Sequence, residues 1–225
     1  MRQNVIAIDG PAGAGKSTVA KMVAEKLGFV YIDTGAMYRA VTCRVIAEGI
    51  ELADHAAISE LAGRINVRFN RQVAGLRVLA DGVDVTEAIR TPEVTTAVPR
   101  VSQVPAVRQA MVRLQQEMAA AGSVVLDGRD IGSVVVPDAC AKIFLTASVA
   151  ERARRRWQEM RDKGYDQDLA ALQQEMELRD RQDSERELAP LVQAADAVLL
   201  DTTGMSIEAV VSGIVTIYQA RCGHV

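Results

Sequence analysis

Short apolar runs alternate along the chain with longer stretches in which apolar residues recur every three or four positions. Residues 4–9 form the first run, which is rich in β-branched side chains, as buried parallel strands are. Further strand-like runs occupy residues 29–32, 123–126, 141–146 and 197–201. Helix-like stretches occupy residues 19–27, 36–48, 106–121, 150–163, 168–186 and 207–220. This alternation predicts an α/β fold, in which helices flank a parallel sheet.

The pattern changes in the stretch between residues 58 and 98. Residues 65–70 alternate apolar with polar side chains, and residues 76–80 and 83–85 are again extended. Asp81-Gly82 lies between the last two runs and is a strong signal for a hairpin turn. We therefore expect a small antiparallel sheet inserted into the α/β chain.

Composition excludes several classes of protein. The chain has 225 residues, 49% of them hydrophobic and 24% charged, which is ordinary for a globular protein with one good-sized core. A net charge of −3 does not favour nucleic-acid binding, and no apolar stretch is long enough for a membrane span. Cys43, Cys140 and Cys222 stand singly, so we expect small core residues rather than a zinc site or a disulfide framework. A reducing cytoplasm is the expected location.

The loop after the first apolar run has the most specific motif in the chain. Residues 10–18 match G-x-x-x-x-G-K-[ST], the phosphate-binding P-loop, and lie between a predicted strand and a predicted helix, as the motif requires. Glycines let backbone N–H groups turn toward phosphate oxygens, and the helix N-terminus adds partial positive charge. The residues predicted to bind ATP are Gly10, Pro11, Ala12, Gly13, Ala14, Gly15, Lys16, Ser17 and Thr18.

Two side chains of the loop and one later carboxylate have predicted roles. We expect Lys16 to reach the outer phosphates of a nucleoside triphosphate and the Ser17 hydroxyl to bind Mg²⁺. Asp127 follows another strand-like run, where P-loop proteins often place a carboxylate of the Mg²⁺ site, either in direct contact or through water. The alternative is that the glycines merely connect a strand to a helix.

Arginines are concentrated between residues 150 and 186. One interpretation is a solvated helix face, with pairs such as Glu151 and Arg155 four residues apart. The other is that mobile arginines neutralise a phosphoryl group during its transfer. Thr34 and Arg39 come just after a strand-like run and are further candidates for a binding site. The alternatives are that Thr34 only caps a helix or forms a turn and that Arg39 is a solvated surface charge.

Taken together, the motifs resemble those of the bacterial cytidylate kinases, in the nucleoside monophosphate kinase group. The longest matching segments are IDGPAGAGKST at residues 8–18, YIDTGAMYR at 31–39 and DGRDIG at 127–132. Shorter matching segments follow the same order, at residues 83–86, 89–94, 107–108, 142–145, 151–153, 155–156, 179–180 and 189–191, with Asp183 and Arg186 matching singly. The small inserted sheet is itself a feature of this family.

The resemblance implies a P-loop NTPase fold with two excursions from its core. The core would comprise residues 1–33, 122–150 and 187–225, and a helical lid would comprise residues 151–186. A domain that binds the nucleoside monophosphate would comprise residues 34–121, with the inserted sheet at about 64–98. The resemblance also implies Mg²⁺ as cofactor, ATP and CMP or dCMP as substrates, a monomeric protein, and neither nucleic acid nor membrane as partner.

Roles follow from the resemblance by matched position. Arg39 and Arg129 would hold the acceptor's phosphate, and the residues implied to bind CMP are Thr34, Tyr38, Arg39, Arg108, Arg129, Asp130, Arg179, Asp183 and Arg186. Of these, the residues that would surround the cytosine are Thr34, Arg108, Asp130 and Arg186, whereas Arg179 and Asp183 would face the ribose. The residues implied to be catalytic are Lys16, Arg129, Arg152, Arg155 and Arg156, the last three on the lid over the donor.

One position departs from the family pattern. Pro99 stands where these kinases often have a serine that contributes to the ribose side, although Ser102 is nearby. The ribose contacts, and with them any preference between CMP and dCMP, are therefore open.

Two other functions use a P-loop. A GTP-binding switch would need an Asn-Lys-x-Asp motif, which the chain lacks, and the Asp-x-x-Gly at residues 201–204 follows the last strand-like run. A kinase for another small acceptor, such as shikimate or gluconate, would share the loop and the arginine lid. Such a kinase would not need the inserted sheet or the set of Arg179, Asp183 and Arg186.

Overall fold

The computed structural model describes residues 2–72, 75–162 and 164–223, and the chain divides into two units. The first unit comprises the described residues up to Tyr31 and from Ala121 onward, and the second comprises those of Ile32–Ala120. Lys163, the last residue of one predicted helix, lies outside the described residues.

The elements follow the predicted alternation, with bounds that differ by a few residues at most. The strands are β1 (Arg2–Asp9), β2 (Val30–Asp33), β3 (Val67–Gln72), β4 (Gly75–Ala80), β5 (Val83–Asp84), β6 (Val124–Gly128), β7 (Ala139–Thr146) and β8 (Val198–Asp201). The α-helices are α1 (Lys16–Leu27), α2 (Thr34–Ala47), α3 (His55–Arg64), α4 (Pro92–Val101), α5 (Pro105–Ala120), α6 (Val149–Asp162), α7 (Leu169–Glu185) and α8 (Ile207–Cys222). A 3-10 helix spans Ala88–Arg90 and a π-helix spans Ile131–Val135.

The larger sheet has five strands in the order β2-β6-β1-β7-β8, and β1 pairs in parallel with both β6 and β7. Four consecutive residues of β1, Val5 to Ile8, are buried, because a parallel sheet covered by helices hides both of its faces from water. Val19 and Val23 of α1 and Ile214 of α8 belong to the apolar core around this strand. The predicted α/β fold with a parallel sheet flanked by helices is confirmed.

The smaller sheet belongs to the second unit and has the antiparallel order β3-β4-β5. Ala80 pairs with Val83, so Asp81 and Gly82 form a two-residue turn, and their φ angles are 51° and 81°. Positive φ at both positions is the geometry of a type I′ turn, whose twist matches that of the strands. The predicted inserted sheet and its hairpin are confirmed.

Two helices of the second unit were not predicted. α3 and α4 lie before and after the small sheet, in a stretch whose pattern suggested only extended structure. In α4, Thr91 caps the N-terminus by accepting from the N–H of Val94, and Pro92 occupies the first turn. Val94, Ala97 and Val101 are buried at helical spacing, so burial outweighs the weak helix propensity of the β-branched residues.

The expectation that the three cysteines are separate core residues is wrong for two of them. Cys140 in β7 and Cys222 at the end of α8 form a disulfide between Cα atoms 5.8 Å apart. Their separation of 82 residues carries no local signal, and the packing of α8 against β7 brings them together. Cys43 is a free cysteine.

The register of the larger sheet determines where its loops meet. Asp9, the last residue of β1, lies opposite Gly128 of β6 and Phe144 of β7. The loops that follow these three strands therefore leave from one edge of the sheet, the carboxyl edge at which open α/β sheets bind ligands. Within the described residues, no helix is long and apolar enough to cross a membrane.

Candidate active site

The P-loop follows β1 at this carboxyl edge. A Cβ atom on Gly10 would lie 1.9 Å from the carbonyl oxygen of Leu145, so only glycine fits where the loop leaves the sheet. Gly15, with φ of 85°, is the N-cap residue of α1, and among the described residues no side chain caps that helix. The N–H groups of the first turn of α1 are thus available to an anion, and a phosphate is the anion that such a loop binds.

Lys16 is a buried cation at the start of α1. Its Nζ atom donates to the carbonyl oxygen of Pro11 at 2.7 Å. Burial holds the pKa of Lys16 well below its usual value, and the positive charge of Arg129 lowers it further, while Asp127, Asp183 and Asp9 act in the opposite direction. The negative charge of a bound phosphate would raise this pKa and stabilise the charged ammonium.

Asp127, near the end of β6, lies against the P-loop helix. The Ser17 hydroxyl donates to one carboxylate oxygen of Asp127 at 2.8 Å, and the Tyr31 hydroxyl donates to the other at 2.9 Å. Sequence reasoning did not assign a role to Tyr31; only its place at the end of an apolar run hinted at one. The pairing of Ser17 with Asp127 puts a hydroxyl and a carboxylate together, the hard oxygen ligands that suit Mg²⁺.

Asp9 connects β1 with the segment after β6. Its carboxylate accepts from the backbone N–H groups of Ile131 at 2.8 Å and Gly132 at 2.7 Å. Burial raises the pKa of Asp9 to about 6, although these two hydrogen bonds oppose the rise. Asp9 therefore fixes the backbone next to Arg129 and Asp130, a role that the sequence did not reveal.

Arg129 and Asp130 are held by residues on or just beyond α7. The Nε atom of Arg129 donates to Asp183 at 2.7 Å, and an Nη atom of Arg186 lies 3.6 Å from the carboxylate of Asp130. Burial acts to raise the pKa of Asp183, but the charges of Arg129, Arg179 and Arg186 outweigh it and the pKa is lowered. One cluster of alternating charges thus joins the end of β6 to α7.

The second unit contains the remaining predicted acceptor residues. Thr34 is the buried first residue of α2, and Asp33 caps that helix by accepting from the N–H of Ala36 at 2.7 Å. The same Asp33 carboxylate accepts from Arg39 at 3.2 Å, so one residue both starts the helix and orients the arginine. On α5, Arg108 is buried, and its guanidinium lies 5.6 Å from the centre of the Tyr38 ring. Tyr38 of α2 and Arg108 of α5 thus lie together, and Arg39 is held by Asp33 at the start of α2.

The three predicted lid arginines have different surroundings. Arg152 is only 3% exposed and donates to carbonyl oxygens of Ala147 and the P-loop residue Ala12. Arg155 donates to Glu151 and to both the hydroxyl and the carbonyl oxygen of Thr202.

Arg156 differs from both, because it is only half-buried and pairs with Glu159 one turn along α6. Glu151 also pairs with Arg154, so the charge pairing that the sequence suggested is present around it. Arg152 donates directly to the phosphate-binding loop.

The position that departs from the family pattern lies in α4. Pro99 is in the last turn of that helix, and Ser102 donates to the carbonyl oxygen of Pro99 at 3.1 Å. Ser102 is thus engaged in the local turn.

Comparison with known proteins identifies the family. The sequence model of the family described as "Cytidylate kinase" matches residues 6–220. This chain belongs to the cytidylate kinase family. It is 57% identical over 213 residues to a cytidylate kinase of Desulforamulus reducens, an alignment that covers 94% of this chain and 95% of that protein. It is 50% identical over 222 residues to a cytidylate kinase of Desulfitobacterium hafniense, covering 98% and 95% of the two chains.

A solved structure has a related fold. An uncharacterised protein from Eubacterium ventriosum aligns with a TM-score of 0.55 and 14% identity, over 98% of this chain and all of that chain. At this identity the likeness concerns the fold alone. Membership in the family comes from the sequence relatives, whose full length the chain spans almost completely.

Proposed function

We propose that this protein transfers the γ-phosphoryl group of ATP to CMP or dCMP, giving ADP and CDP or dCDP, in pyrimidine nucleotide metabolism. The observation that carries the proposal is the charge cluster beside the P-loop, in which Arg129 pairs with Asp183 and Asp130 lies by Arg186. A kinase for shikimate or gluconate has no need of such a cluster, because its acceptor has neither a base nor a phosphate. Membership in the cytidylate kinase family supports the same acceptor.

The chemical step needs positioning and charge neutralisation more than acid–base catalysis. A phosphate oxygen of CMP attacks the γ-phosphorus in line, and a new P–O bond forms as the bond to the β–γ bridging oxygen breaks. ADP leaves with the electron pair of the broken bond. Because the acceptor phosphate is already an anion at neutral pH, no strong general base is required.

Lys16 and the P-loop amides hold the donor phosphates. In the protein alone, burial lowers the pKa of Lys16, and Nζ donates to Pro11 of the same loop. Phosphate oxygens favour the charged ammonium, so nucleotide binding should raise the pKa of Lys16 and stabilise its positive charge where negative charge develops during transfer. Lys16 then donates to the outer phosphates in place of the Pro11 carbonyl.

Ser17 and Asp127 are the residues that fit Mg²⁺. Their side chains are already in contact, and Tyr31 orients the carboxylate. When bound, Mg²⁺ neutralises charge on the donor phosphates. The second oxygen of Asp127 stays tied to the Tyr31 hydroxyl, which fixes the direction of the carboxylate.

The acceptor is held by residues that we assign separately in each unit. In the first unit, we propose that Arg129 binds the phosphate of CMP and that Arg179 and Asp183 bind the ribose. In the second unit, we propose Arg39 for the phosphate, with Thr34, Tyr38 and Arg108 toward the base. Each phosphate-binding arginine has an aspartate partner, Asp183 or Asp33, which orients it before CMP arrives.

Base recognition rests on the polarity of Asp130 and two arginines. Cytosine offers a donor, the amine at C4, and an unprotonated N3, which is an acceptor, whereas uracil offers the reverse pattern. A carboxylate only accepts, so Asp130 suits the cytosine amine, and Arg186 beside it only donates, so it suits N3 or O2. Arg108 in the second unit also only donates, which is again the polarity that cytosine requires. Uracil would place like polarities against these groups.

The helices α6 and α7 form the lid of this proposal. Arg152, Arg155 and Arg156 would neutralise the transferring group and exclude the water that competes with CMP as acceptor. The hydrogen bond from Arg152 to Ala12 of the P-loop supports its place next to the donor. We also propose a monomer, and a cytoplasmic location, where charged nucleotides are retained.

An ADP-release assay with a panel of acceptors tests the proposal. ATP and Mg²⁺ are mixed with the protein and with CMP, dCMP, UMP, AMP or shikimate, and kcat/KM is measured for each. The proposal expects CMP and dCMP to be far better acceptors than the other three. Turnover with shikimate but not with CMP would instead identify the related kinase class, and ADP release without any acceptor would identify an ATPase.

A further inference from the structure

One face of α7 contacts three parts of the proposed site in succession. Met176, Asp180 and Asp183 recur at spacings of four and three residues, so their side chains lie on the same side of the helix. Met176 lies against Gly13 of the P-loop, Asp180 pairs with Arg152, and Asp183 pairs with Arg129. Asp180 is the charged member of this row to which no role has yet been assigned.

The contact between α7 and the P-loop is close. A Cβ atom built on Gly13 would lie 3.0 Å from the Cε atom of Met176 and 3.2 Å from the Cβ atom of Arg152. Gly13 has φ of 74°, which a side chain at this position would disfavour. A shift of α7 or of Arg152 would therefore displace the backbone of the P-loop, which we propose to bind the donor phosphates.

Arg152 connects α7 to this loop through hydrogen bonds. Its Nη1 atom donates both to Ala12 of the P-loop at 3.0 Å and to Asp180 at 3.1 Å, and its Nη2 atom donates to the second oxygen of Asp180. The planar guanidinium is thus held by a two-point pair with the carboxylate, which fixes its orientation as well as its charge. The Asp180 side chain is 24% exposed, so it lies at the rim of the contact rather than in the core.

We propose that Asp180 is a positioning residue that couples CMP binding on α7 to the conformation of the P-loop through Arg152. The inference rests on the proposed function, because it takes Arg179, Asp183 and Arg186 as ligands of the acceptor. Acceptor binding orders α7, α7 holds Asp180, and Asp180 holds Arg152 against Ala12. Coupling of this kind is reciprocal, so ATP must strengthen CMP binding by the same factor as CMP strengthens ATP binding.

Titration calorimetry on Asp180→Asn tests the coupling. Dissociation constants for CMP and for a non-hydrolysable ATP analogue are measured alone and with the other ligand at saturation. We expect a coupling factor of about fivefold or more in the wild type, falling to about twofold or less in the variant. The Kd for CMP alone should stay within about threefold, because asparagine keeps the shape of the aspartate side chain, which does not touch the acceptor.

Glu177→Gln is the matched control. It makes the same change of charge on the same helix, but Glu177 is exposed and accepts from Gln173 one turn earlier on α7. Its coupling factor should equal that of the wild type. A coupling factor that is unchanged in Asp180→Asn, or that is already absent in the wild type, would overturn the proposal.

Hydrogen exchange on the wild type covers the case in which Asp180→Asn does not fold. CMP alone should slow amide exchange in residues 10–15, although CMP is not a ligand of that loop. Unchanged exchange in the loop would overturn the coupling. Failure of the proposed function looks different, since the wild type would then transfer no phosphoryl group to CMP in the acceptor assay.

Discussion

At the scale of single residues, replacing Asp130 should have the most specific effect on the choice of acceptor, because we propose that Asp130 recognises the base. Replacing it with Asn adds a donor that suits the uracil carbonyl and weakens the bond to the cytosine amine. A charge-assisted hydrogen bond is worth roughly 1.5–3 kcal/mol, so Asp130→Asn should lower the CMP/UMP ratio of kcat/KM by about ten- to a hundredfold.

The control for this change is Asp183→Asn, the same substitution in the same charge cluster but on the proposed ribose side. It should lower kcat/KM for both nucleotides and leave their ratio unchanged. If Asp130→Asn also lowers both nucleotides by one common factor, Asp130 does not read the base.

Asp9 links the stability of the fold to pH. Burial raises its pKa from 3.8 to about 6, so between these values the folded protein binds more protons than the unfolded chain, and stability falls as pH rises. The size of the effect is roughly 3 kcal/mol.

The effect of Asp9 is isolated by measuring the free energy of unfolding of the wild type and of Asp9→Asn and taking the difference, wild type minus variant. The other titratable groups are present in both proteins, so their contributions cancel. Between pH 4 and pH 7 the difference should shift toward the variant by roughly 2 kcal/mol, because the rest of the effect develops below pH 4. Asp130 and Lys16 also act on this pKa, in opposite directions. A difference that does not change with pH would refute the buried, ionisable state of Asp9.

At the scale of elements, the proposed lid, formed by α6 and α7, is the part whose motion the proposed mechanism needs. Few apolar side chains of α6 and α7 are buried, namely Ala153, Leu172 and Met176, and the charged pair of Arg152 with Asp180 joins the two helices. We expect amide exchange in residues 151–186 to be fast in the free protein and to slow sharply with CMP plus a non-hydrolysable ATP analogue. α8, which packs in the core, is the internal reference, and equal protection of the lid in both states would exclude closure.

Strands and helices with a clear periodicity were predictable, whereas contacts distant in the sequence were not. The run of β1, the P-loop and the hairpin at Asp81-Gly82 each carry a local signal that the structure bears out. α4 was missed because Thr95, Thr96 and Pro99 favour other local structure, and only tertiary burial makes the segment helical.

The same limit applies to the site. The P-loop motif identified Lys16 and Ser17, and a strand end pointed to Asp127. The partners of these groups did not follow from spacing, because Tyr31 lies 96 residues from Asp127 and Asp180 lies 28 residues from Arg152. Carboxylates that orient other residues, such as Asp9 and Asp33, look like ordinary turn residues in a sequence.

At the scale of the whole molecule, the disulfide ties the C-terminal helix to the central sheet. A cross-link that closes a long loop stabilises the fold by roughly 2–4 kcal/mol, mainly by restricting the unfolded chain. Cys222→Ser should therefore lower the free energy of unfolding by about that amount in oxidising buffer, and by much less under reducing conditions.

Thiol titration of the denatured, unreduced protein provides the check. The chain has three cysteines, so one reactive thiol is expected, from Cys43. Cys43→Ser is the control, because it keeps the disulfide, and its free energy of unfolding should differ from that of the wild type by the same amount in both buffers. Three reactive thiols would contradict the Cys140–Cys222 link.

The central claim is that the γ-phosphoryl group of ATP is transferred to CMP, and ³¹P NMR of the reaction mixture tests it most directly. With wild type, ATP, Mg²⁺ and CMP, the signal of CMP should give way to the paired signals of CDP while ADP appears in equal amount. Lys16→Met, which keeps the buried chain but removes the charge, should slow this conversion by about a hundredfold or more with the fold retained. Inorganic phosphate appearing while CMP stays unchanged, or normal conversion by Lys16→Met, would contradict the account.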